Sequence, residues 1–318
     1  MVKILLIPII FGYNIVKSQV LMYFAEFRDG AIYFMEYVND LRRKTPQDRN
    51  PLGKFKDATA IIPDRLIFRW WQLLCAVSVG NIVLWSLAAQ GLLWESDGYR
   101  SQQLALSGLF VAACAFRSIL PRVDLERMCF WDVPLSSVIV GRTVATVAEL
   151  CFAWQCALLL FKLSALTGSS VIGTIGLAVL PIIVVAELAC WFAVATLNHI
   201  GHAVEELLWS IMVGLVAVAL VIYWQHTAGA LPMWVPIGLI ACAGTAALIL
   251  MVDIPLYITR WRIGKRAGLR YLRVVEGLKD AVVRRRVTQT RDDWRKEVLW
   301  MSLYFSAGVW VSLGIIFV

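Results

Sequence analysis

Residues 171–198 read VIGTIGLAVLPIIVVAELACWFAVATLN. The only ionisable carboxylate in that stretch is Glu187, and it runs well past the roughly 20 apolar residues that a helix needs to cross a hydrocarbon layer of about 30 Å. A segment alone in lipid must satisfy its own backbone hydrogen bonds, so helix is the expected form. One such segment could be a buried core helix. The rest of the chain decides against that.

Working outward, six further stretches share its character: residues 65–94, 102–120, 135–161, 204–225, 233–259 and 297–317. Composition agrees. Of 318 residues 60% are hydrophobic and 16% charged, against about half and a quarter in soluble domains. Fourteen tryptophans suit a chain with two water–lipid boundaries. No alternation of period two suggests a barrel. The expected fold is therefore all-α, a polytopic membrane helix bundle of seven spans with cytoplasmic amphipathic helices. Residues 4–26 are read as interfacial, and would make an eighth span if they cross. The expected division is an N-terminal region, 1–64, followed by a transmembrane domain, 65–318, with a basic loop at 260–296. Within these, residues 31–43 and 267–290 read as amphipathic surface helices.

Of the 30 lysines and arginines, all but Arg100, Arg142 and Lys162 fall on one side of this topology. That asymmetry places the basic side in the cytoplasm, with the N-terminus inside and Val318 outside, as in a bacterial inner membrane. The net charge of +8 then reads as attraction to anionic lipid. It does not suggest nucleic acid, for which no recognition motif is present. A homo-oligomer or a membrane-complex partner fits the wide apolar surface. The seven cysteines form no Cys-x-x-Cys pair and are read as packing residues.

Candidate chemistry comes from charge in apolar surroundings. At about 1.5 Å per residue, Arg142 and Glu149 share one face of the third span, near mid-depth. Glu187 and Asp253 reach a similar level from the fourth and sixth. Charges of this kind turn inward and pair, Arg142 with Asp253 or with a glutamate. Glu149, Glu187 and Asp253 are the expected acid, base or metal-ligand groups. Arg142, with Arg122 and Arg127 in a short link of mixed charge and aromatics, is expected to hold an anionic group of an amphiphilic small molecule.

His199, His202, Glu205 and Glu206 are candidate ligands for a divalent metal. If this stretch is one helix, His199, His202 and Glu206 align. The preferred reading reverses the chain at Asn198 and Gly201, leaving His199 to end the fourth span and the glutamates to open the fifth. The expected function is an enzyme with a cytoplasm-facing polar pocket. The rivals are a proton- or ion-coupled transporter and a non-catalytic subunit or scaffold. Span seven has no lysine for a retinal Schiff base. HExxH, the Gly-Lys-Ser/Thr phosphate loop and a complete EExxxR are also absent.

Overall fold

A computed structural model describes residues 64–92, 97–227 and 232–318. The expectations for residues 1–63, including the interfacial segment 4–26 and the helix at 31–43, lie outside them. The elements are α1 (Arg65–Leu92), α2 (Gly98–Ile119), β1 (Arg122–Val123), β2 (Met128–Cys129), α3 (Val138–Thr167), α4 (Ser170–Thr196) and α5 (His199–His226). There follow α6 (Trp234–Leu248), α7 (Ile254–Arg266), α8 (Val274–Val283), β3 (Arg286–Val287), α9 (Arg291–Leu303) and α10 (Val309–Ile315). A π-helical turn, Ile249–Asp253, joins α6 to α7, and another, Tyr304–Gly308, joins α9 to α10. Among the described residues seven helical stretches are thus long and apolar enough to cross a membrane, as expected. The fold is an all-α bundle, and the chain is a multi-pass membrane protein.

Successive spans pack side by side from α1 to α6, and α10 returns against α1, α2 and α3. The third span is the hub, with 56% of its most apolar window buried against 11% for the sixth. Outward faces carry residues such as Val79, Leu177, Leu188, Ile240 and Met251, all exposed, which suits contact with lipid chains.

Two of the basic segments, the link after α2 and the loop that carries β3, meet at one end. The link after α2 is folded: β1 pairs antiparallel with β2, and β2 runs parallel to β3 from the distant loop. Phe130 is fully buried, stacked on Trp71 of α1 at 5.5 Å and edge-on to Trp294 of α9 at 5.6 Å. The aromatic residues of that link therefore anchor it to two helices. At the opposite end Lys162 Nζ donates to the Val318 carbonyl at 3.1 Å.

Three local expectations differ. The surface helix is shorter than 267–290, confined to Val274–Val283 because Arg284 is already extended on the way to β3. It lies against α4 through Gly277, where a β-carbon would clash with the Ala195 carbonyl. The reversal between α4 and α5 falls at Leu197, whose φ of 58° is left-handed, and at Asn198, whose side chain accepts from the Ile200 amide and caps α5. His199 therefore opens α5 and does not end α4. Gly201 lies inside α5, with no room for a side chain between it and Ala189 and Ala193 of α4.

Candidate intramembrane acid–base site

Close contact of α3, α4 and α5 brings their charged groups together. Arg142 donates from Nη2 to Glu149 Oε1 at 2.8 Å and to Glu187 Oε2 at 3.1 Å, and its Nη1 lies 3.9 Å from Glu205 Oε1. Seven residues, about two turns, put Glu149 over Arg142 on α3. Thr146, on the same face, donates to Glu187 Oε2 and accepts from the Trp191 indole at 3.0 Å. On α5, one turn joins His202 to Glu205, with Nδ1 2.6 Å from Oε2. Cys190 Sγ lies 3.7 Å from the same Nδ1.

The charges do not balance. One guanidinium and one imidazole face three carboxylates. Side chains of the five groups keep only 5 to 13% of their area accessible. Glu149 Oε2 and Arg142 Nε have no hydrogen-bond partner in the structure. In such surroundings surplus negative charge calls for a proton or a cation.

Beside this centre lies a second group towards the basic end. The His202 ring packs on Tyr257 at 5.0 Å, and His199 stacks on the same ring at 6.3 Å. Arg260 bonds Glu126 at 3.3 Å. Asp253 is within electrostatic reach of Arg260 and Glu297, and Glu206 of Asp253 and Glu205. Burial pushes the Glu126 carboxyl up, but Arg260 and the groups around it outweigh that and hold it below the usual range.

Of the two pairings expected for Arg142, with Asp253 or with a glutamate, the structure shows the second. Arg142 pairs with Glu149 and Glu187, while Asp253 belongs to the Arg260 group. Held by carboxylates, Arg142 is not a free anion-holding group. Arg122 is buried over Gly141, donating to the Ser137 carbonyl at 2.5 Å, with Asp124 3.5 Å from Nε. Burial brings Arg122 down to about 10, which leaves it cationic at neutral pH. Arg127 bonds Asp280 at 2.9 Å and the carbonyls of Asp124, Val194 and Gly277; it ties the folded link to α4 and α8. Of the four expected metal ligands, His202 and Glu205 converge, His199 faces Glu126 and Arg260 of the second group, and Glu206 stands between the two, within reach of Glu205 and of Asp253.

Cys190 and Thr146 were missed. Cys190 had a readable signal: in a helical hairpin turning near residue 196, positions equidistant from the turn lie side by side. That pairs 190 with 202 and 187 with 205.

Outward from Glu149 lies a buried polar network in which one acceptor, Gln103 Oε1, has no partner. Gln155 accepts from Ser312 Oγ at 2.6 Å and donates to the Gln103 and Ser312 carbonyls, and Ser312 also meets Ser107. All four residues are fully buried. Searches among protein families, curated proteins and solved structures find no match. Fold and site together define an integral, multi-pass, all-α membrane protein with a charged cluster between its third, fourth and fifth spans.

Proposed function

We propose that this protein is a membrane-embedded enzyme acting on an amphiphilic substrate that arrives from the basic, cytoplasmic side of a bacterial inner membrane. The single observation that carries the reading is the unbalanced cluster of Glu149, Glu187 and Glu205 with Arg142 and His202. A site with more carboxylates than cations, not fully sealed, is suited to taking and giving protons. Polar groups lead from it towards the basic end through Glu206, Asp253 and Arg260. On the other side, Gln103, Gln155 and Ser312 are fully buried and bonded to one another, which supports an enzyme over a transporter, because a transporter needs a path to both faces. Surplus acid favours a neutral or cationic reacting group, and an anionic headgroup would sit nearer the basic loop.

The test is complementation of a deletion strain, read by untargeted lipid and metabolite profiling. Wild-type protein should restore the profile. Glu149→Gln, present in the membrane at equal amount, should not. Full restoration by Glu149→Gln would refute the reading. Uptake of substrate into proteoliposomes driven by a proton gradient would favour the transporter.

A further inference from the structure

We infer that Cys190, His202 and Glu205 form the binding site of one divalent transition-metal ion of zinc-like preference. The inference deepens the enzyme reading and rests on it for its catalytic meaning. Sulfur, nitrogen and carboxylate oxygen are the donor set of zinc and its neighbours, whereas magnesium and calcium take oxygen alone. One donor atom from each residue lies within 4.8 Å of the others. Among the described residues this is the only such group that mixes the three donor types.

Geometry supports the assignment. Two ligands on a tetrahedral zinc, one sulfur and one nitrogen, stand about 3.5 Å apart; Cys190 Sγ and His202 Nδ1 stand 3.7 Å apart. His202 Nδ1 and Glu205 Oε2, at 2.6 Å, form a hydrogen bond that has to open by less than about 1 Å to admit an ion. Glu205 Oε1 faces Arg142 Nη1 at 3.9 Å, so Arg142 steadies the ligand from outside and leaves Oε2 for the metal.

A second observation points the same way. Glu149 is 6% exposed, and its Oε2 is without a partner. Its carboxylate lies within 4.8 Å of those of Glu187 and Glu205. With Cys190 giving up its proton to ligate as the thiolate, these groups hold three more negative charges than Arg142 offsets, and a bound dication compensates two of them. Three protein ligands leave a fourth position open, as in catalytic and not structural zinc sites.

The full chain, purified in detergent and stripped with a chelator, should be titrated with zinc alone and with cobalt(II) alone. The expected result is one equivalent of either, with cobalt giving a sulfur-to-metal charge-transfer band in the near ultraviolet. Cys190→Ser should abolish the band. It should weaken zinc binding by more than the roughly 10–100-fold that loss of an outer partner costs. Cys151→Ser and Cys156→Ser should keep both. If Cys190→Ser does not fold by circular dichroism, His202→Gln reads the same band. Folded wild type that takes up no stoichiometric metal, or that binds equally well after His202→Gln, overturns the site. Loss of complementation by Glu149→Gln without metal binding sinks the metal and spares the enzyme. Metal binding with full complementation by Glu149→Gln does the reverse.

Discussion

Replacing Arg142 and replacing Glu149 should have unequal consequences, because the cluster has one guanidinium and three carboxylates. Arg142→Gln leaves Glu149, Glu187 and Glu205 facing one another, and uncompensated buried charge costs about 3–5 kcal/mol. The expected result is loss of monodisperse protein on size-exclusion chromatography. Glu149→Gln removes part of the surplus and still offers Arg142 an acceptor, so its melting temperature should stay within the range of a change of about 1 kcal/mol. At Gly141 an added β-carbon would overlap the Arg122 guanidinium. Gly141→Ala should therefore cost about 1–3 kcal/mol by overpacking, measurable by thermal shift. The Glu126–Arg260 pair responds to pH. Glu126 is held below the ordinary carboxylate range. Its contribution is therefore present above that range and lost as pH falls through its lowered value. The melting difference between wild type and Glu126→Gln should be small, since 36% of the side chain is open to solvent, and should vanish once the pH has fallen through that lowered value.

Both π-helical turns sit where the spans carry polar groups. The first ends at Asp253, just before Pro255, which has no amide hydrogen for the preceding turn and whose ring crowds it. The second holds Tyr304, whose buried hydroxyl has no partner. Asn81 of α1 donates to the Phe305 carbonyl in that turn at 2.9 Å and accepts from Trp310 at 3.0 Å. Asn81→Leu strands both groups and should cost about 1–3 kcal/mol, seen as a lowered melting temperature and faster amide exchange around residues 304–310. Element packing is equally exacting at α8. Gly277→Ala sets a β-carbon against the Ala195 carbonyl, which displaces the helix and with it the Arg127 bonds. Faster proteolysis within residues 267–290, with α1 to α5 intact, is the expected signature.

Among the described residues, the link after α2 and the segment bearing β3 pair at one end of the bundle, and exposed apolar side chains line the spans. If the basic end is cytoplasmic, a membrane-impermeant amine reagent should label Lys279 only in inverted vesicles. Labelling of Lys279 in right-side-out vesicles would reverse the orientation. Helix number and helix position were legible in the sequence, because length and hydropathy are local quantities that lipid reads residue by residue. The glutamates and Arg142 were legible as an inward-facing set, since a charge in hydrocarbon has to find a partner. Which partner it finds was not. Glu205 reaches Arg142, and Cys190 reaches His202, only because Gly201 lets α5 approach the α4 backbone and the chain reverses at Leu197 rather than later. Asp253 is within electrostatic reach of Arg260 and Glu297 rather than bonded to Arg142. Rotation and separation of neighbouring helices come from side chains interlocking across the bundle. That is a property of the packed whole, which no single stretch of sequence contains.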